Sequence, residues 1–208
     1  KKKFVVYMLL VDLADHGSGV CLWYSIEPDW QAWKLIASTG TKKGTDQVEA
    51  INVIRGLLAD RDISGESCIL VIETWMIQRC RGAVESLAAN QRMWISAVNR
   101  VFEDRVTVYK LNSQTWMSRA GILSMRTSLG STKAATAFFA AEMRPGVQMT
   151  EDEADAVVMG AWWLKSGGPA GHEQRKAELR QAKAAKKARK ADRDGKKTEA
   201  RFRQLGLI

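Results

Sequence analysis

Eight consecutive apolar residues, Phe4 to Val11 (FVVYMLLV), run without a break into a carboxylate at Asp12. The run is too short to span a bilayer. Bounded by that charge and then by Gly17 and Gly19, it reads as a strand buried on both faces, which demands a sheet covered on both sides. Burying a carboxylate at the end of such a strand costs several kcal/mol unless the acid is paired or holds a metal ion. Asp12 therefore calls for company from elsewhere in the chain.

Taken in order, Leu13 to Gly19 reads as a turn and Val20 to Ile26 as a second strand, antiparallel to the first because the connection is so short. Trp30 to Ser38 is a candidate third strand. Thr45 or Asp46 caps a helix with apolar residues at Val48, Ile51, Ile54, Leu57 and Leu58. Cys68 to Ile72 (CILVI) is a second dense apolar run, and it too stops at an acid, Glu73. A long helical pattern fills Arg79 to Phe102, and Arg105 to Leu111 alternates as a strand. A short helix capped at Ser113 and a Gly- and Ser-bearing loop are expected over Asn112 to Gly130. Ser131 or Thr132 opens another helix, ended by Pro145 and Gly146. Thr150 opens the last, with Glu153 three residues on completing a capping box. Strands first, then strand–helix alternation, predicts an α/β fold with a mixed sheet.

Gly167 to Gly171 (GGPAG) marks the expected boundary between a domain at 1–166 and an extension at 167–208, helical or disordered. From His172 onward there are thirteen Lys or Arg against five Asp or Glu, a surplus of eight within the chain's net +9. That concentration implies a polyanionic partner gripped by the tail, although such a segment also serves simply as a solubilising extension. Cys21, Cys68 and Cys80 form no CxxC pair, and His16 and His172 complete no zinc set. Their usage fits a reducing, intracellular setting. No stretch reaches the length of a membrane span.

The chemistry rests on three separated places. Asp12 and Glu73 each end a core strand, while Asp152 and Asp155 lie three apart on one face of the last helix. Acids in the first turns of a helix are also ordinary capping chemistry, favoured by the helix dipole. Four carboxylates meeting at a sheet end would repel unless divalent cations bound there. An oxygen-only donor set points to Mg²⁺ or Mn²⁺, and a pair of such ions is the usual device for in-line phosphodiester hydrolysis.

VDLADHGSGV, LVIE followed by a long helix, LNSQTWMSRAGI, STKAATAFF and EDEADAVVMGAW occur in that order. In these pieces, over about Val5 to Leu164, the sequence resembles the RuvC-type Holliday junction resolvases of the RNase H-like superfamily, especially divergent phage-type members. The resemblance implies an RNase H-like mixed sheet of about five strands flanked by helices, with the basic tail appended. It makes Asp12, Glu73, Asp152 and Asp155 the ligands of two Mg²⁺ or Mn²⁺ ions, and Lys133 a catalytic, phosphate-facing cation. Asp15 and His16 in the turn are lesser candidates, and Glu153 is better explained as the capping acid. Where the family often has Lys, this chain has Arg119, which keeps the charge and alters the geometry.

The same resemblance places Trp75 and Met76 beside the site as wedges against bases, with burial of Trp75 as the alternative. Arg79, Arg119, Arg126 and Lys133, with Lys186, Lys187, Arg189 and Lys190 of the tail, become DNA-binding residues. The helix starting near Arg79, in which Gly82, Ala83 and Ala89 permit close approach, looks like the family's dimer helix, and an isologous homodimer suits a two-fold four-way junction. The implied activity is a crossover junction endodeoxyribonuclease making paired nicks in branched DNA during recombination and repair, cytoplasmic and phage-encoded. A flap or RNA-processing nuclease of the same fold, or a catalytically silent DNA-binding protein, remains an alternative.

Overall fold

The central strand of the sheet, β1 (Val5–Ala14), has neighbours on both sides and layers on both faces. Met8, Leu9, Leu10 and Val11 are entirely shielded from solvent, which is why the run is apolar at every position and not at alternate ones. In the computed structural model, residues 5–14, 17–26, 33–42, 44–59, 61–74 and 81–205 are described. The sheet order is β3-β2-β1-β4-β5. β2 (Gly17–Ile26) and β3 (Lys34–Gly40) run antiparallel to their neighbours, whereas β4 (Ser67–Thr74) and β5 (Val106–Asn112) extend the sheet in parallel with β1.

Alternation along the strands sorts the core into two layers. Leu9, Val11, Leu22, Leu70 and Ile72 pack with Ile54 and Leu57 of α1 (Gln47–Leu58) and with Trp94, Val98 and Phe102 nearby. Trp94 and Val98 belong to α2 (Arg81–Val101). On the other face Met8, Leu10, Cys21 and Val71 meet four more helices. These are α3 (Ser113–Arg119), α4 (Ile122–Leu129), α5 (Thr132–Met143) and α6 (Glu151–Lys165). Burying one such Leu or Met contributes about 1.5–3 kcal/mol, so each layer is a substantial source of stability. Among the described residues no helix is long and apolar enough to cross a membrane.

Several local expectations shift. β1 does not stop at Asp12: the hairpin ladder with β2 pairs Asp12 with Gly19 and continues to Ala14–Gly17. The backbone bonds of the ladder are indifferent to the side chain, so a carboxylate ends the apolar run without ending the strand. β3 begins at Lys34, later than the sequence suggests. Asp46 caps α1, accepting from the Glu49 amide. Asn112 and not Ser113 caps α3, taking the Thr115 amide on its side chain.

The Gly- and Ser-bearing loop expected after α3 is the helix α4. Its Ser124, Thr127 and Ser128 hydroxyls each donate to the carbonyl three residues back, which satisfies within the helix the groups that usually favour turns. Gly121, at φ 81°, makes the sharp reversal between α3 and α4.

Two compact units divide after Lys165, at Lys1–Lys165 and Ser166–Ile208. The second contains one helix, α7 (Gly168–Gln204). The GGPAG segment starts this helix and does not precede it. Gly167 takes the left-handed conformation, Pro169 occupies the first turn where no amide hydrogen is needed, and the Arg175 guanidinium donates to the Ser166 carbonyl at 2.8 Å. The basic residues expected in the tail, Lys186, Lys187, Arg189 and Lys190, are exposed along it.

Candidate active site

Asp12 shares the face of β1 that carries Met8 and Leu10, and Glu73 shares the face of β4 that carries Val71. The parallel ladder between these strands runs through the Val11–Ile72 pair. The next residue on each strand is an acid, so Asp12 and Glu73 stand side by side under α6. They are only 5 % and 8 % exposed. Their carboxyl groups hydrogen-bond to each other. One Glu73 oxygen, Oε1, also accepts from the Trp116 indole at 2.9 Å, and its backbone carbonyl accepts from the Gln91 side chain at 3.4 Å.

The first turn of α6 is held against this pair by its cap. Thr150 Oγ1 accepts from the Glu153 amide at 3.3 Å while Glu153 Oε2 accepts from the Thr150 amide at 3.4 Å, a reciprocal capping box. Glu153 Oε1 takes the Ser38 hydroxyl of β3 at 2.6 Å, and Ser38 in turn accepts from Arg144 at 2.7 Å. The helix rests on bare backbone. A Cβ at Gly19 would fall 1.7 Å from the Asp152 carbonyl oxygen, and one at Gly40, its ladder partner, 2.9 Å from Thr150 Oγ1. Gly19 also lies opposite Asp12, so this close approach brings Asp152 and Asp155 to the strand acids.

The electrostatics record the crowding. Burial pushes the Asp12 carboxyl far above its usual range, and the charges of Glu73 and Asp152 push it further, with Lys133 opposing. Glu73 is raised, chiefly by burial, against hydrogen bonds from Asp12 and Trp116 that favour its ionised form. Asp155 is pushed up to about 7 by burial and then by the Asp12 charge, while a hydrogen bond with Thr136 opposes the rise. Asp12, Glu73, Asp152 and Asp155 thus act on one another as one cluster.

The sign of their effect on stability follows. A carboxyl raised in the folded state keeps a proton that the unfolded chain releases, so stability falls as pH rises between the two values. For Asp155 the window runs from 3.8 to about 7, and Asp12 and Glu73 act in the same direction. Calorimetry in chelator is expected to show thermal stability declining across that window. A flat profile would mean that these carboxyls are not raised in the folded protein.

Lys133, in the first turn of α5, pairs with Glu151, the first residue of α6. That bond, before any other influence, raises its pKa. Its charge also reaches Asp12 and Asp155. Arg119 and Arg126 are exposed on α3 and α4. Trp75, Met76 and Arg79, with Asp15 and His16, lie outside the described residues. Sequence reasoning missed Trp116, Thr136, Ser38 and Arg144. Trp116 sits inside LNSQTWMSRAGI, where the basic residue drew attention and the indole N–H did not.

The sequence matches no protein-family model and no curated protein. Among solved structures the chain is similar to Thermus thermophilus RuvC, at 14 % identity over 77 % of this chain and 96 % of that one, with a TM-score of 0.50. The fold is RuvC-like. It is also similar to T. thermophilus RuvC in complex with a Holliday junction substrate (15 % identity, 77 % and 96 % covered, TM-score 0.45). A further similar structure is the yeast mitochondrial Holliday junction resolvase Ydc2 (12 %, 84 % and 83 %, 0.40). In this RuvC-like, RNase H-like frame the four acids gather at one end of the two central parallel strands.

Among the described residues no three His, Cys, Asp or Glu side chains form a ready-made cation cage. Asp12 and Glu73 stand side by side instead; burial raises both carboxyls, and the Glu73 charge adds to the rise at Asp12. The donor set still suits a hard divalent cation. It is oxygen-only, and its clustered negative charge is offset only in part by Lys133, Trp116 and Thr136.

Proposed function

We propose that this chain is a divalent-cation-dependent endonuclease that cuts phosphodiesters in branched DNA, with four-way junctions as its first substrate. One observation carries the reading: Asp12, Glu73, Asp152 and Asp155, from three separated stretches, converge at one end of a RuvC-like sheet. These four carboxylates would hold Mg²⁺ or Mn²⁺, two ions per site. When bound, the ions supply activation of the attacking water and stabilisation of the leaving oxygen.

The chain's own residues do the rest. Glu73, fixed by Trp116, and Asp12, fixed by the ladder, present oxygens from rigid strands. Asp152 and Asp155 approach from a helix held by its capping box. Lys133 exchanges Glu151 for a phosphate oxygen when DNA enters, and Arg119 and Arg126 contact the backbone outside the cleft. A homodimer through α2 would present two such sites to the two symmetry-related strands of a junction.

The tail forms a separate phosphate-gripping appendage. Truncation after Lys165 is expected to weaken junction binding and to flatten its salt dependence, by about 0.9 in log–log slope for each phosphate that the tail neutralises. Cleavage at saturating DNA should persist. Fluorescence anisotropy across a salt series measures both effects.

A catalytically silent DNA-binding protein is the second reading, favoured by the want of a ready-made cage among the described residues. Labelled four-way junction, flap, duplex and RNA substrates, each in Mg²⁺, Mn²⁺ or chelator, separate the two. Paired nicks in the junction that vanish with chelator support the first; binding without cleavage in every metal supports the second.

A further inference from the structure

We propose that Trp116 is a positioning residue for Glu73: its indole N–H fixes Oε1 and leaves the other carboxylate oxygen for the cation that Glu73 and Asp12 would share. This inference rests on the metal-nuclease reading above.

The topology brings the two residues together. β4 and β5 pair Glu73 with Leu111, and α3 starts directly after that strand on its Asn112 cap. The Thr74 hydroxyl donates to the Leu111 carbonyl at 3.0 Å, pinning the strand end from which the helix departs. Trp116 then falls on the buried face of α3, fully shielded and packed in the same layer as Val71, Leu111 and Ile122. An indole N–H in such a place needs an acceptor, and here Glu73 Oε1 supplies it at 2.9 Å.

The choice of donor has a chemical consequence. An indole donates one hydrogen bond and accepts none, so it orients the carboxylate without competing for a cation. A free Glu side chain loses rotamer freedom when it is ordered. With Gln91 on the backbone carbonyl and Trp116 on Oε1, Glu73 is ordered before any ligand arrives. Partners that orient a ligating side chain in this way typically change metal affinity by about 10–100-fold when removed.

Trp116→Phe keeps the apolar ring and removes the N–H. Isothermal titration with Mg²⁺ and with Mn²⁺ should show roughly tenfold weaker binding. The metal concentration for half-maximal junction cleavage should rise by the same factor, while the rate at saturating metal changes less. A second readout does not use cleavage. The chain has eight Trp residues, and in a ¹⁵N-labelled sample the indole signal assigned to Trp116 should shift as Mg²⁺ is added. If the Phe variant does not fold, that signal in the unaltered protein still decides. Unchanged metal affinity in the variant, or an unmoved Trp116 signal in a protein that binds metal and cleaves, overturns this inference alone. A protein that binds no divalent cation and cuts nothing overturns the nuclease reading as well.

Discussion

Asp12→Asn is expected to abolish metal-dependent cleavage of a four-way junction, by roughly 10³-fold or more, equivalent to about 4 kcal/mol of lost barrier reduction. Junction binding should persist, because Asp12 is buried and Lys133, Arg119 and Arg126, the cations assigned to phosphate, are unchanged. The same substitution should raise the melting temperature of the metal-free protein at neutral and higher pH. Burial and the neighbouring Glu73 and Asp152 make the ionised Asp12 costly, and a neutral amide removes that cost. Asn also offers an amide N–H toward Glu73 in place of a carboxyl O–H. Loss of cleavage together with a gain in stability separates a catalytic role from misfolding, which would lower both. Cleavage undiminished in the variant would remove Asp12 from the site.

Gly19→Ala should be the most damaging single methyl group in the domain. The added carbon would meet the Asp152 carbonyl oxygen at 1.7 Å, its carbon at 2.2 Å and the Glu153 amide nitrogen at 2.8 Å, all of them backbone atoms. No rotamer change relieves such a clash, so α6 must lift from β2. We expect a loss of about 3 kcal/mol or more, and therefore a melting temperature lower by roughly 6–12 °C for a unit of this size. Cleavage should fall with it, since Asp152 and Asp155 ride on the displaced turn.

Gly56→Ala is the matched control. Gly56 lies within α1 with open space around its Cβ position, so the same substitution should stabilise by about 0.5–1 kcal/mol. Differential scanning calorimetry on the two variants reads the opposite signs directly. A melting temperature unchanged in Gly19→Ala would show that α6 does not rest on the strand.

The four candidate acids were legible because each is marked by a local pattern. Asp12 and Glu73 stand out against continuous apolar runs, and Asp152 with Asp155 has helical spacing. The residues that orient them were not legible. Trp116 looks in the sequence like one more core aromatic, and its partner lies 43 positions away. Ser38 and Arg144 are ordinary polar residues until β3 and the end of α5 bring them to Glu153. The Ser- and Gly-bearing stretch read as a loop is helix α4, because its hydroxyls find carbonyls within their own turns.

By itself the sequence determined the layered α/β class, the burial of β1 on both faces and the capping box of α6, and it singled out the four acids as candidates. These follow from local pattern: apolar runs, helical spacing and cap chemistry act over a few residues. Only the tertiary structure decided that the acids meet, because meeting depends on the β1–β4 register and on two glycines low enough to let a helix touch a strand. The same holds for the raised carboxyls of Asp12 and Glu73 and for the indole that holds Glu73. Those properties arise from burial and proximity between distant segments, which no local pattern carries.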